Sequence, residues 1–166
     1  MSSSALLKFK QTVDMEIEQY EAMDELYKLK QAVLVQGKSD DLWDVDAKII
    51  EKAKVIKEVT SKRKEAAKFL GSDEISISQV IDHAKKSNDE IAKNLESQKT
   101  KLNILAQSLT LREKTNLDLI KHGLVMAEKT FNIIVNVVTP KSSEYDQNGN
   151  NVKNDKIGVS SVIEEA

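Results

Sequence analysis

The chain has 166 residues, of which 31% are charged and 40% hydrophobic, with five glycines, one proline and no cysteine. Sheet-rich folds need frequent turns, and turns draw on glycine and proline, so this composition excludes a sandwich, a barrel and a doubly wound sheet. The net charge of −2 leaves no basic surplus to attract nucleic acid, and the lack of cysteine excludes disulfides and thiolate metal ligands. The abundance of Lys, Glu, Leu and Ala is typical of long helices.

The first predicted helix covers about residues 4–36. Its apolar residues recur about every 3.5 residues, which is the repeat of a coiled-coil seam that packs on a partner helix. The members of this seam are Leu6, Phe9, Val13, Ile17, Tyr20, Met23, Tyr27 and Leu34. Gly37 is well suited to the left-handed conformation that ends a helix.

The second predicted helix covers about residues 39–70 and is expected to end at Gly71. It begins with aspartates and ends with lysines and an arginine, as the helix dipole favours. Its seam has the same repeat and consists of Leu42, Val45, Ile49, Ala53, Ile56, Val59, Arg63, Ala66 and Leu70. Because the turn between the two helices is only two or three residues long, we expect them to be antiparallel.

A short third helix and a long fourth helix follow. Residues 76–79 form a capping box, Ser-Ile-Ser-Gln, and residues 87–90 form a second one, Ser-Asn-Asp-Glu. Two boxes so close together predict a break between two helices, with a single uninterrupted helix as the alternative. The fourth helix is expected to run from about residue 88 to Val138, because Pro140 biases the residue before it away from helix.

Polar residues interrupt the seam of the fourth helix. Positions where a stable coiled coil has leucine carry Gln98, Arg112, Asn116 and Thr130, and Gly123 lies on the same seam. A seam asparagine specifies register or strand number at a cost in stability. The alternative is that this part of the seam opens or exchanges partners. We therefore single out Arg112, Asn116 and Gly123 as seam and register residues.

The second half of the fourth helix is apolar on two faces. The additional face consists of Leu117, Ile120, Leu124, Phe131 and Ile134. A helix with two apolar faces needs two neighbours, so either this is the central helix of the bundle or one face is left for a partner chain. Residues 133–138 are mostly β-branched and are also suited to pairing as a strand.

The last part of the chain is predicted to be a flexible tail, because a run of Ser, Asn, Asp, Lys and Gly cannot bury a core. It contains Tyr145 in a turn signal and regains apolar residues at 157–163, so it either folds on a partner or is merely solvated. The fold prediction is an all-α, elongated antiparallel helical bundle with coiled-coil packing, three long helices and one short, over residues 1–139. The flexible C-terminal tail covers residues 140–166.

No catalytic or metal-binding pattern is found in the sequence. The residues three positions before His83 and His122 are Val80 and Leu119, which excludes the Glu-x-x-His pairs of di-iron bundles. Phosphate-binding loops and dinucleotide-binding glycine motifs are also missing. We therefore expect a protein that is not an enzyme and that uses no metal or cofactor.

The remaining sequence features argue against nucleic acid and membranes as partners. The only basic run, Lys62-Arg63-Lys64, is interpreted as a solvated helix end, since Glu58 and Glu65 flank it. No apolar stretch is long enough to span a membrane, and no signal-peptide pattern is present at the amino terminus. A cytoplasmic protein is expected.

The order and spacing of several motifs resemble the FlgN-type flagellar export chaperones. The motifs are Leu6-Leu7, Lys30 before Gly37-Lys38-Ser39-Asp40-Asp41-Leu42, Lys62-Arg63 before Phe69-Leu70-Gly71, Asn116 before Leu119-Ile120, and Tyr145-Asp146 with Gly149. The sequence departs from the family's pattern at Glu113, where such proteins often carry a second Asn.

The resemblance implies a cytoplasmic type III flagellar export chaperone. Such proteins bind the hook-associated proteins of the hook–filament junction, prevent their premature assembly and bring them to the export apparatus. The family binds its cargo largely through the C-terminal region, which points here to Ile133, Ile134, Val137, Val138 and Tyr145. A monomer or weak homo-oligomer is expected. The alternative function is a coiled-coil adaptor or self-associating scaffold without a role in secretion.

Overall fold

The structure, a computed structural model, describes residues 3–68 and 76–138. Within these ranges it contains four helices and no strand: α1 (Ser3–Gln36), α2 (Ser39–Lys68), α3 (Ile77–Lys85) and α4 (Asp89–Val138). The predicted all-α class with three long helices and one short helix is therefore confirmed. Residues 133–138, which were also suited to a strand, are helical.

The chain divides into two units, Met1–Leu124 and Val125–Ala166. The described part of the second unit is the end of α4. Leu70, Gly71 and residues 139–166 lie outside the described residues. The expected helix end at Gly71, the boundary at Pro140 and the flexible tail with Tyr145 therefore stay predictions.

Gly37 ends α1 as predicted. Its φ of +67° places it in the left-handed region, where a residue with a Cβ is strained. Two hydrogen bonds close the last turn: Gly37 N–H donates to the Leu34 carbonyl and Lys38 N–H donates to the Val33 carbonyl, each at 3.2 Å. This pairing is the Schellman motif, and it allows α2 to begin two residues later.

The predicted capping box at the start of α3 is confirmed. The Ser76 hydroxyl accepts a hydrogen bond from Gln79 N–H at 3.3 Å, and Gln79 Oε1 accepts one from Ser76 N–H at 2.8 Å. Each side chain thus satisfies a backbone donor that has no partner in the first turn. α3 ends at Lys85, so the predicted break before the fourth helix is present and the single long helix is wrong.

The second predicted capping box, residues 87–90, is wrong, although α4 begins where it was expected. Asn88, not Ser87, caps α4, because Asn88 Oδ1 accepts a hydrogen bond from Ile91 N–H at 3.1 Å. The Ser87 hydroxyl points back instead and donates to the carbonyls of His83 and Ala84, each at 3.4 Å. Since Ser87 binds the end of α3, it is not free to cap α4, and its neighbour does so.

α1 and α2 form an antiparallel hairpin, as the short turn required. Contacts between them join Lys30 to Asp46 near the turn at 2.7 Å and Glu16 to Arg63 far from it at 2.5 Å. The predicted seam of α1 is buried or half-buried throughout. In α2 the predicted seam residues Val45 and Val59 are buried. Ala53 is exposed, and Lys52 instead contacts α1 by donating a hydrogen bond to Gln19.

One hydrophobic core lies where the beginning of α1 meets the end of α2, α3 and the beginning of α4. Its buried members are Leu6, Phe9, Val13, Ile17, Ala66, Ala67, Val80, Ile81, Ala84, Ala92 and Leu95. The short helix α3 contributes three of these side chains, which explains why an amphipathic element is placed here. The core therefore anchors α4 by its amino-terminal end.

Candidate functional site

The carboxyl-terminal part of α4 differs from the rest of the helix in how it is covered. The apolar core holds the beginning of α4, and polar contacts with α1 follow from Gln98 to Asn116. Every residue from 121 to 138 is exposed except Val135, which is half-buried. α4 therefore passes from a part that α1 covers to an exposed part that begins at residue 121.

α1 and α4 run parallel, which the contacts between them establish. Asp14 accepts a hydrogen bond from Gln98, Asp24 from Ser108 and Arg112, and the Tyr27 carbonyl from Asn116. The partners are separated by 84 to 89 residues in the sequence, and the order is the same on both helices. Applied to Gln36, this offset reaches residues 120–125, so α1 ends at that level of α4.

Asp24 is the centre of the polar contacts between α1 and α4. Its carboxylate accepts hydrogen bonds from Arg112 Nε at 2.6 Å and from the Ser108 hydroxyl at 3.1 Å, and Lys28 Nζ lies 3.0 Å away. Burial raises the pKa of Asp24, but the hydrogen bonds from Lys28, Arg112 and Ser108 outweigh burial and hold that pKa below its ordinary value. Arg112, predicted as a seam residue, thus has a buried counter-charge on α1.

Asn116 is the most deeply buried of the three predicted seam and register residues of α4, at 2% exposure. Its Nδ2 donates to the Tyr27 carbonyl at 3.1 Å, while its Oδ1 has no hydrogen-bond partner among the described residues. Gln98 is similar, since its Nε2 donates to Asp14 and its Oε1 has no partner in the same part of the chain. Buried polar atoms without partners cost stability, so this interface is weaker than an apolar one of the same area.

Gly123 lies in the exposed part of α4, beyond the residues that α1 covers. It is exposed, and a Cβ added there would meet no atom within 4 Å. Its predicted place on the seam therefore does not put it in the buried contact between α1 and α4, because α1 has ended by this level. Arg112 and Asn116 are brought together on that contact, whereas Gly123 is not.

Residues 125–138, which we call the terminal segment of α4, carry a run of exposed apolar side chains. Seven large apolar residues in this segment are at least 47% exposed: Val125, Met126, Phe131, Ile133, Ile134, Val137 and Val138. Four of them, Ile133, Ile134, Val137 and Val138, are the partner-binding residues predicted from the sequence. The fifth predicted residue, Tyr145, lies outside the described residues.

The apolar surface of the terminal segment is wide as well as exposed. At about 100° per residue, its apolar positions from Ile133 to Val135 cover about 200° of the helix circumference. The remaining strip carries Glu128, Lys129, Asn132 and Asn136 together with Val125, and Thr130 lies within the apolar face. Only two of these are charged, and the charges are opposite. Such a surface suits an apolar partner and offers little to an ionic one.

The described residues contain neither a metal-binding cluster nor a membrane-spanning helix. Among residues 3–68 and 76–138, no group of three or more His, Asp or Glu side chains is placed to hold a metal ion. His83 and His122 are both exposed. In the same part of the chain, none of the helices combines the length and the hydropathy that a bilayer crossing requires.

Sequence reasoning found the apolar terminal segment but missed the residues that fix where it begins. Asp24 and Ser108 are not distinctive in the sequence, because each is a single polar residue on a long helix. A seam arginine indicates that an acidic residue on another helix pairs with it, but the sequence does not identify that residue.

A family model described as FlgN protein matches residues 1–153 of the chain. This range contains all four helices and continues past the last described residue. No curated protein and no solved structure matches the chain.

Proposed function

We propose a cargo-binding function for this chain, which belongs to the FlgN protein family. FlgN proteins are chaperones of flagellar export. For this chain we propose that it acts in the cytoplasm, binds the hook-associated proteins of the hook–filament junction, and prevents their assembly before they reach the type III export apparatus. The terminal segment of α4 is the proposed binding surface.

The observation that carries the proposal is the density of exposed apolar side chains in the terminal segment. Seven large apolar residues within fourteen positions are at least 47% exposed. Fully burying a side chain of this kind contributes about 1.5–3 kcal/mol, so leaving seven of them in water favours association with a partner. A helix that is apolar over more than half its circumference suits an amphipathic helix or a hydrophobic groove of the cargo.

This surface also explains how binding would prevent assembly. Proteins that assemble through apolar helical segments are kept apart when those segments are covered by another apolar helix. Glu128 and Lys129 are the only charges on the terminal segment and are of opposite sign, so screening of charges by salt should weaken such covering little. We propose that Tyr145 also takes part in binding the cargo.

The contact between Asp24 and Arg112 supports the proposal by fixing the register of α4 against α1. A shift of α4 by one turn would separate Arg112 from Asp24 and Asn116 from the Tyr27 carbonyl. We propose that Arg112 and Asn116 set this register, so that the terminal segment stays available to cargo. The alternative, in which the seam opens during binding, predicts faster hydrogen exchange at residues 98–116 in the complex.

The test is a titration calorimetry experiment with purified hook-associated junction proteins and the full-length chain. Ile133→Ser is expected to weaken binding by about tenfold, which corresponds to losing about 1.4 kcal/mol of buried apolar surface. Ile133 and Ile134 changed together are expected to weaken it further. Circular dichroism should be unchanged, because both side chains are exposed.

Ile104→Ser is the matched control. Ile104 is the same residue type on the same helix and is 61% exposed, against 64% for Ile133, but it lies outside the terminal segment. It is expected to leave the affinity within about twofold. If Ile104→Ser and Ile133→Ser have equal effects, the terminal segment is not the binding surface. A chain ending at Thr139 that binds as tightly as the full chain would exclude a contribution from Tyr145.

A further inference from the structure

A second exposed apolar surface lies on α2, far from the residues of the proposed cargo site in the sequence. Trp43 is the only tryptophan of the chain and is 78% exposed, and Ile50, two turns later, is 61% exposed. Tryptophan contributes strongly to protein interfaces when it is buried there, and it is expensive to leave in water. The position of Trp43 therefore requires an explanation that the α1–α2 hairpin does not supply.

Trp43 and Ile50 belong to a regular row on the side of α2 that faces away from α1. The row consists of Asp40, Trp43, Ala47, Ile50, Lys54 and Lys57, with alternating steps of three and four residues. This is the heptad spacing that places side chains along one face of a helix for pairing with a second helix. All six residues are exposed, whereas Val45 and Val59 on the opposite side of α2 are buried.

The row is complementary to itself when two copies are placed antiparallel. In an antiparallel pair of helices, the first heptad position of one helix faces the fourth position of the other. Asp40 then faces Lys57 of the second copy, and Trp43 faces Lys54 of the second copy. Ala47 faces Ile50 of the second copy. A two-fold axis repeats each of these pairings, as in any symmetric dimer.

Each pairing is chemically favourable. Asp40 and Lys57 carry opposite charges, and neither has an ion pair within the described part of the chain. A lysine ammonium over the face of an indole is attracted by its π-electrons, which suits Lys54 and Trp43. A small alanine opposite a large isoleucine lets the two helices approach closely. Lys54 currently lies 3.2 Å from Glu51 in an exposed pair, which is weak enough to be exchanged.

We propose that this outward face of α2 is a homodimer interface, and that its occupant is the same face of a second copy of the chain. The order of charges favours this partner over an anionic surface, because Asp40 lies one turn before Trp43 and Asp44 lies next to it in the sequence, and both would repel anions. The row spans about 27 Å at 1.5 Å per residue, so the dimer is weak and forms at high protein concentration.

The test is analytical ultracentrifugation of the full-length chain from about 1 μM to about 1 mM. The unchanged chain is expected to form dimers as the concentration rises. Asp40→Lys and Lys57→Asp are each expected to raise the dissociation constant by about tenfold, because each introduces two like-charge contacts per dimer. The double variant Asp40→Lys/Lys57→Asp is expected to restore dimerisation to within about threefold of the unchanged chain.

The double variant separates the interface from an effect on folding. It keeps the change at Asp40, so a loss of dimer caused by a damaged helix start would persist in it. Trp43 fluorescence provides a second measurement, since its emission should move to shorter wavelength as the dimer forms and not move in Asp40→Lys. A chain that stays monomeric at the highest concentration, or a double variant that stays as weak as the single ones, would overturn the proposal.

Ile134→Ser distinguishes this inference from the proposed cargo site. It changes the terminal segment of α4 and is expected to leave dimerisation as it is, while Asp40→Lys is expected to leave cargo affinity as it is. If Ile134→Ser abolishes the dimer and Asp40→Lys does not, the two copies meet through α4, and the inference about α2 is wrong. The cargo titration tests the proposed function independently of either result.

Discussion

Replacing Asp24 with asparagine tests the polar contact that fixes α4 against α1. The substitution keeps the shape of the side chain and removes its charge. Asp24 is 7% exposed and faces Arg112 Nε at 2.6 Å, the Ser108 hydroxyl at 3.1 Å and Lys28 Nζ at 3.0 Å. Asparagine leaves the Arg112 guanidinium, whose side chain is 29% exposed, without a counter-charge.

The expected cost follows from these contacts. A hydrogen bond to a charged group contributes about 1.5–3 kcal/mol to stability, and breaking a fully buried ion pair costs about 3–5 kcal/mol. Because Arg112 keeps some contact with water, the lower part of this range applies. We expect Asp24→Asn to lower the free energy of unfolding by about 2 kcal/mol at neutral pH. Urea unfolding followed by circular dichroism measures this difference.

The pH dependence provides a sharper check, because the pKa of Asp24 is lowered in the folded protein. A carboxyl with a lowered folded pKa stabilises the protein above its unfolded pKa, which is about 3.9 for aspartate. That stabilisation is lost as the pH falls through the lower folded pKa. The difference between the unchanged chain and Asp24→Asn should therefore be constant from about pH 7 to about pH 5 and should shrink below about pH 4.

Glu21→Gln is the control for Asp24→Asn. Glu21 pairs with Lys101 at 2.7 Å across the same two helices, but both side chains are about half exposed. We expect it to cost less than about 0.5 kcal/mol. Two outcomes would refute the assignment of Asp24 as the charge that holds α4. One is an equal loss of unfolding free energy in the two variants, and the other is a loss in Asp24→Asn that does not change between about pH 7 and about pH 3.

Three further substitutions, with Ile104→Ala as a control, test the rest of the fold by the same unfolding measurement. Leu95→Ala removes a fully buried core side chain and should cost about 2–5 kcal/mol, whereas Ile104→Ala, on the exposed side of α4, should cost less than about 1 kcal/mol. Gly37→Ala places a Cβ at a φ of +67° and should cost about 1 kcal/mol; no cost would mean that the turn adopts another conformation. Gln98→Met removes a buried carbonyl oxygen that has no partner among the described residues, so the free energy of unfolding should stay within about 1 kcal/mol or rise. A loss of more than about 2 kcal/mol would show that the hydrogen bond from Gln98 to Asp14 contributes more to stability than the oxygen without a partner costs.

The sequence by itself determined the helices and most of their ends. The 3.5-residue repeat of apolar positions gave the face of α1 that is buried, because burial in a helix follows the residue period. Gly37 and Ser76 marked ends through local chemistry that involves only neighbouring residues. The one local error, Ser87 in place of Asn88, arose because both residues are good caps and Ser87 is used by the preceding helix.

Only the tertiary structure decided how α4 is held and where it becomes exposed. The sequence showed a seam arginine and a seam asparagine, but their partners, Asp24 and the Tyr27 carbonyl, are more than eighty residues away. It also showed two apolar faces on the second half of α4 without showing whether a neighbouring helix covers them. That depends on the parallel register of α1 and α4, which places the end of α1 near residue 120. Registers between distant helices result from many small contacts acting together, and no local pattern encodes them.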